Sequence, residues 1–448
     1  MNLENEINNF LLLTFGHEQF SPGLERISRV LTAEIAVIKK AQKNKQIKII
    51  TIAGTNGKGE TIYELQKLLT ESGKKTARWI SPHIFSIGER INFGGEDISL
   101  LKLKEEIDAA IVALLLKNEQ LSYYEFLFFI FCRLCACRIF ELDYILLEVG
   151  LGGRLDAVNI FDADLVGLTS ISRDHQNILG IGYSKILREK MGVVRRHAIL
   201  ISSLELKFLR EEIADNGQLH WFDLFASGIT LLNDDYTTRN KKLAMALFLL
   251  CQQACILKKD HFVEALAFKL KDFDFLPSGF KGRFEKVTWQ GRCFIFIGAH
   301  NIDGIRKMAA HSLILKSRID YIWCSFSKRE KEEIKNSLYI LKKIAPTYVT
   351  PFSHFKASTA SDLASICSDI NNGKEKKEGN THPLFFADDI FATLLAFEKN
   401  KIILLCGSYY FIGEVQKIIF ESDPPRPHFA LGPPPLGTEC QHSQYPEL

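Results

Sequence analysis

Residues 47–61 limit the fold more than any other segment. Residues 47–53 are apolar and mostly β-branched, and they run straight into Gly54-Thr55-Asn56-Gly57-Lys58-Gly59. Ile62, Leu65, Leu68 and Leu69 then recur at helical spacing, and Gly73 offers a C-cap. A strand, a glycine turn, a lysine and a helix start, in that order, make a cradle for phosphate. Backbone N–H groups point into such a turn, the helix N-terminus adds a partial positive charge, and the Lys58 ammonium adds a full one. The match to the general pattern G-x-x-x-x-G-K-[ST] is imperfect. Ile52 stands at the first glycine, and Gly59 follows the lysine. Taken alone, the segment also reads as an ordinary turn between a strand and a helix.

The surrounding pattern places this turn in a layered fold. Residues 144–149, 165–169 and 198–202 are further apolar runs, separated by helical segments. They predict an α/β domain whose parallel sheet is covered by helices on both faces. The pattern resumes at 293–297, 321–324, 347–350 and 402–406, with 305–308 and 362–366 in intervening helices. A second, smaller α/β domain of Rossmann-like type is expected there, joined through a linker at 276–282. Seven of the 13 prolines lie between Pro424 and Pro446, which predicts a disordered tail with no catalytic role. The expected division is 1–284, 285–422 and a tail at 423–448.

Charge and composition narrow the function classes. A net charge of +3 over 448 residues leaves no footprint for nucleic acid or a membrane surface. The most apolar stretch, 126–140, is short and is interrupted by Arg133 and Arg138, so no membrane span is expected. The acidic start, Met1-Asn2-Leu3-Glu4-Asn5-Glu6, lacks the basic region of a secretory leader. Cys132-x-x-Cys135-x-Cys137 sits in an apolar helical run with no partner pair at zinc spacing, and reads as core thiols. A reduced, cytoplasmic protein is the simplest expectation.

Several segments then resemble, in order, folylpolyglutamate synthase and the bifunctional dihydrofolate synthase of the Mur ligase superfamily. Gly-Thr-Asn-Gly-Lys-Gly is similar to that superfamily's variant phosphate loop. Gly23-Leu24-Glu25-Arg26-Ile27 resembles the N-terminal signature. Ser81-Pro82-His83 with Glu89-Arg90-Ile91 resembles a substrate-side loop, and Ser122-Tyr123-Tyr124-Glu125-Phe126 a segment near the pterin. The run from Glu148-Val149-Gly150-Leu151-Gly152-Gly153-Arg154-Leu155-Asp156-Ala157 to Asn159 is the longest and most specific match. Ser170-Ile171-Ser172-Arg173-Asp174-His175, Arg188-Glu189-Lys190, Gly282-Arg283-Phe284, Ala299-His300-Asn301, Phe352-Ser353-His354 and Gly407-Ser408 continue it to about residue 420.

The resemblance implies an amide ligase that uses ATP and Mg²⁺. An acceptor carboxylate, that of dihydropteroate or a reduced folate, would be phosphorylated, and L-glutamate would then displace the phosphate. Such chemistry needs cations and fixed dipoles more than a nucleophile. Lys58, Lys190 and His300 are the implied catalytic residues. Gly54 to Thr61, Arg283 and Asn301 would hold the nucleotide. Ser81, Glu148, His175 and Lys190 would serve the metal, Lys190 as a carbamate. Pro82, His83, Ser122, Tyr124 and Ser408 would meet the acceptor and glutamate. The family also implies a monomer.

Two departures stand out. Glu60 occupies a position where relatives carry serine, with Thr61 next as a substitute hydroxyl. Ile297 stands three residues before His300, where relatives carry an aspartate that holds the nucleotide. A weakly active or non-catalytic binding homologue, or a related ligase with another acceptor, are the alternatives these departures admit.

Overall fold

The computed structural model describes residues 3–17, 21–117, 119–215, 217, 219–252, 259–275, 280–311, 314–315, 317–372 and 381–421. The proline-rich tail and residues 276–279 of the expected linker lie outside this set.

The first sheet is built from β1 (Lys48–Ala53), β2 (Thr76–Trp79), β3 (Ile91–Phe93), β4 (Glu96–Asp97), β5 (Tyr144–Glu148), β6 (Leu165–Leu168), β7 (Ile199–Ser202) and β8 (His220–Asp223). Their order across the sheet is β4-β3-β2-β5-β1-β6-β7-β8. Strands β2, β5, β1, β6, β7 and β8 are mutually parallel, and β3 and β4 fold back antiparallel on the β2 edge. β1 is buried along five of its six residues, which is why its sequence is a continuous apolar run rather than an alternation.

Each face of this sheet has its own core. The helix Lys58–Glu71 buries Ile62, Leu65 and Leu69 together with Ile50, Ile52 and the helix Tyr236–Gln252. On the other face the helix Tyr123–Cys137 buries Phe126, Phe128, Phe129 and Phe131 against Trp79 and Ile49. Cys132 and Cys135 belong to that core, and burial pushes both thiols well above their usual range. Cys137 differs from expectation, because it lies on the exposed side of the same helix.

The second sheet contains β9 (Arg283–Trp289), β10 (Arg292–Ile297), β11 (Tyr321–Ser325), β12 (Thr347–Val349), β13 (Leu384–Phe386) and β14 (Ile402–Gly407), in the order β13-β12-β11-β14-β10-β9. Only β9 is antiparallel to its neighbour. It begins at Arg283, so that residue is the first of the second sheet. The molecule is therefore an α/β protein with two parallel-rich sheets. No helix among the described residues is long and apolar enough to cross a membrane.

Parallel sheets place ligands beyond the carboxyl ends of their strands. Here the carboxyl ends of β1, β5 and β6 face those of β10, β11 and β14. The loops that leave those ends carry most of the residues singled out above.

Candidate active site

The phosphate loop is a rigid turn braced from behind. Gly54 and Gly57 both have positive φ, at 143° and 92°, a backbone region that side chains rarely adopt. Space also forbids a side chain: a Cβ on Gly54 would sit 1.9 Å from Thr169 Oγ1, and one on Gly57 2.4 Å from Asn240 Oδ1. The loop after β6 supports the turn. Thr169 Oγ1 and Ser170 Oγ donate to the Asn56 carbonyl at 2.7 and 3.0 Å, and the Asn56 N–H donates to Ser170 Oγ at 3.1 Å. Gly57 ends this turn, and the helix begins at Lys58.

Lysines enter from both sides. Lys58 Nζ donates to the Thr55 carbonyl at 3.2 Å. Burial lowers its pKa, while Glu148 and Asp174 nearby oppose that shift. Lys190 is fully enclosed and donates to the Gly54 carbonyl at 2.8 Å. Burial, with Lys58 as a neighbouring cation, brings its pKa down to about 7. An ammonium in water has a pKa near 10.4, so Lys190 is far readier than a surface lysine to lose its proton.

Glu148 ends β5 and is buried, and it accepts the Ser81 backbone N–H at 3.3 Å. Burial raises its pKa, and Lys58 works in the opposite direction. Ser81 and Glu148 thus meet on one side of the Lys58 helix start. His175 lies on the other side, after β6. Its backbone is left-handed with φ 51°, and its ring stands 3.9 Å from the Asp174 carboxylate. Loss of hydration lowers its pKa, and the nearby Arg329, His300 and Lys190 add to that shift. Among the described residues no three His, Cys, Asp or Glu side chains form a metal-binding group.

The second sheet closes the site. Asn56 and Asn301 exchange side-chain hydrogen bonds at 3.2 and 3.1 Å, across the two sheets. Asn301 also donates to Asp174 at 2.8 Å, and Arg329 reaches the other Asp174 oxygen at 3.1 Å. His300 Nε2 stands 3.7 Å from the same carboxylate. Burial alone would raise the Asp174 pKa, but His300, Arg329 and His175 hold it well below the usual carboxylate range. Arg283 lies over the Tyr409 ring at 4.6 Å and donates to the Gly298 carbonyl, and His300 packs against Tyr409 at 5.0 Å. A cavity of about 330 Å³ runs between the sheets, from Asn56 and Gly57 to Arg283, Ile297 and Tyr409. That volume lies in the range of small-molecule sites.

Other expected positions have local duties. Ser122 caps the helix Tyr123–Cys137 through the Glu125 N–H, in a reciprocal capping box with the Glu125 side chain. Tyr124 donates to Asp156 at 3.0 Å and receives the Trp79 indole N–H at 3.3 Å. His83 accepts from the buried Arg90 guanidinium at 2.9 Å, and half-buried Pro82 precedes it. Ser408 follows β14, and its hydroxyl lies 3.0 Å from that of Ser327. Thr61 is buried, and its hydroxyl has no hydrogen-bond partner among the described residues. Asp174, Arg329, Tyr409 and Asn240 are site residues to which the sequence assigns no role. Asp174 belongs to the segment that ends at His175, whereas nothing in the sequence points to Arg329 or Asn240.

No family model matches the chain. The dihydrofolate synthase/folylpolyglutamate synthase of Bacillus subtilis is 26% identical over 428 residues, covering 88% of this chain and 94% of that protein. The Buchnera aphidicola (Schizaphis graminum) enzyme of the same name is 29% identical over 402 residues, covering 82% and 87%. These matches span both sheets. Over most of its length the chain is similar to proteins named dihydrofolate synthase/folylpolyglutamate synthase. Solved structures agree on the fold. A bifunctional folylpolyglutamate synthase/dihydrofolate synthase with Mn, AMPPNP and L-glutamate bound superposes with a TM-score of 0.70 at 23% identity, covering 91% of this chain and 96% of that one. The Mycobacterium tuberculosis folylpolyglutamate synthase complexed with ADP and AMPPCP gives 0.71 at 20%, covering 94% and 99%. The departures at Glu60 and Ile297 therefore stand within a fold shared with these structures.

Proposed function

We propose that the chain is an ATP-dependent ligase that joins L-glutamate through an amide bond to dihydropteroate, to a reduced folate, or to both. The observation that carries this reading is the cavity between the sheets, with Asn56 and Gly57 of the phosphate loop at one end and Arg283 and Tyr409 at the other, His300 packing against Tyr409. Residues 1–284 would bind ATP and the acceptor, and 285–422 would bring the glutamate.

In the first step an acceptor carboxylate oxygen bonds to the γ-phosphorus, and the bond to the ADP oxygen breaks. In the second, the glutamate amine bonds to the acyl carbon, loses a proton, and inorganic phosphate leaves. Backbone N–H groups of Gly57, Lys58 and Gly59, with Thr61 behind them, hold the phosphates in this scheme, while those of Thr55 and Asn56 brace the turn against Ser170. Lys58 offsets the charge that builds on the transferred phosphoryl group. Arg283 and Asn301 hold the nucleotide from the second sheet. His300, held beside Asp174 and with its pKa lowered by burial, would take the amine proton. Pro82, His83, Ser122 and Tyr124 shape the acceptor side, and Ser408 the glutamate side. The contacts across Asn56, Asn301 and Asp174 keep water from the acyl phosphate.

The donor set suits Mg²⁺. Ser81 and Glu148 bring oxygens, which Mg²⁺ prefers, and Glu148 is a buried carboxylate whose charge a cation would stabilise. His175 and Lys190 complete the set, Lys190 after carbamylation, which its lowered pKa favours by supplying a neutral amine. Bound Mg²⁺ supplies further charge neutralisation at the phosphates. The enzyme is taken to act as a monomer in the cytoplasm, where core thiols such as Cys132 and Cys135 stay reduced.

The test is substrate dependence. Purified protein is expected to release phosphate with ATP and Mg²⁺ only when both glutamate and an acceptor are present. Dihydropteroate and a reduced folate are assayed separately, and the acceptor that works defines the activity. Absence of glutamate-dependent release with either one sinks the ligase reading.

A further inference from the structure

Glu60 is an odd residue to find in the first helical turn beyond a phosphate loop. Its side chain is 1% exposed. One carboxylate oxygen accepts from Asn240 Nδ2 at 2.7 Å, and the other has no hydrogen-bond partner among the described residues. A buried carboxylate oxygen left unpaired is costly unless something absent from the structure donates to it. Glu60 lines the cavity between the sheets, and so does Tyr236, whose buried hydroxyl is also unpaired and feels the Glu60 charge. Two residues that line the same space therefore each carry a buried, unsatisfied oxygen.

Position along the cavity identifies the donor. Asn240 touches the loop at Gly57 and holds Glu60 with its amide, so Gly57 and Glu60 lie on one face of the same helix end. Residues three apart in a helix lie about 5–6 Å apart on one face. Phosphates cradled by the loop end at that face, and the next group of a nucleotide is its pentose. Ile297 lies on the cavity wall and offers no acceptor. Burial raises the Glu60 pKa, and the Asn240 hydrogen bond and the Arg283 charge oppose that shift.

We propose that Glu60 is a specificity residue that accepts a hydrogen bond from a pentose hydroxyl of the nucleotide. This rests on the ATP-dependent reading, and the test separates the two. Equilibrium binding of ATP, 2′-deoxy-ATP, 3′-deoxy-ATP and inosine triphosphate is measured on the full chain and on Glu60→Ala and Glu60→Gln, without acceptor or glutamate. A hydrogen bond to a charged group is worth about 1.5–3 kcal/mol, so the wild type should bind one deoxy analogue about 10- to 100-fold more weakly than ATP. Glu60→Ala should compress that ratio to below about 3-fold, with the isosteric Glu60→Gln between the two. The Thr237 hydroxyl stands close enough to Glu60 to act on it as a hydrogen-bond donor, although neither it nor the second Glu60 oxygen makes a bond of good geometry among the described residues. If Glu60 merely closes onto Thr237, the ratio is unchanged in both variants and the proposal is overturned. A change confined to inosine triphosphate, which lacks the exocyclic amine, would place the contact on the base and overturn it too. Failure of the wild type to bind ATP at all sinks the ligase reading together with this inference.

Discussion

Replacing Lys58 by methionine should slow amide formation by about three orders of magnitude. Its ammonium is the one full positive charge on the phosphate loop itself, and it stands over a turn held open by Gly54 and Gly57. The other cations that act on Lys58 are engaged elsewhere, Arg283 with the Gly298 carbonyl and the Tyr409 ring. Lys190 is a neighbouring cation, but its amine is tied to the Gly54 carbonyl and its pKa has fallen to about 7. The methionine side chain is of similar length and needs no hydration, so the thermal unfolding midpoint should stay close to that of the wild type. A rate within about 10-fold of wild type would mean that Lys58 does not face the transferred group.

Replacing Asp174 by alanine should have the second largest effect, and through a different route. Asp174 lies on the first sheet's loop, yet three residues of the second sheet's loops converge on it: Asn301 at 2.8 Å, Arg329 at 3.1 Å and His300 at 3.7 Å. Its carboxylate is nearly buried, as is the Arg329 guanidinium. Breaking a buried pair by removing one partner costs about 3–5 kcal/mol, because the other charge is left uncompensated. Part of that cost should appear as weaker closure of one sheet on the other, and kcat/KM should fall about 100-fold. Asp174→Asn keeps the shape and can still accept from Asn301, so it should fall less. Solution scattering and steady-state kinetics on the same samples check both halves of the prediction.

Much of this site is legible in the amino-acid sequence. The loop from Gly54 to Gly59 can be read because a continuous apolar strand, two turn glycines and a helical repeat stand next to each other. Asn56, Ser170, Arg283 and Ala299, which come from four separate segments of the family resemblance, line one cavity. What stays illegible has physical reasons. β3, β4 and β9 are antiparallel and partly exposed, so they lack the continuous apolar run that marks the parallel strands. The Asp174–Arg329 pair joins residues 155 positions apart, and Asn240 meets Glu60 across 180. Periodicity carries no information at such separations. Ser122 is the reverse case: Ser-x-x-Glu ahead of an apolar helix is a capping-box spacing, so its local role is readable from the sequence.

In the proposed mechanism the acceptor carboxylate is activated as an acyl phosphate, and glutamate attacks only afterwards. The most direct measurement of that order of events follows an oxygen atom. The acceptor is prepared with heavy oxygen in its reacting carboxylate and incubated with ATP, Mg²⁺ and glutamate, and the phosphate released is analysed by mass. One labelled oxygen should appear in the phosphate for each amide formed. Amide formation accompanied by unlabelled phosphate would contradict the mechanism.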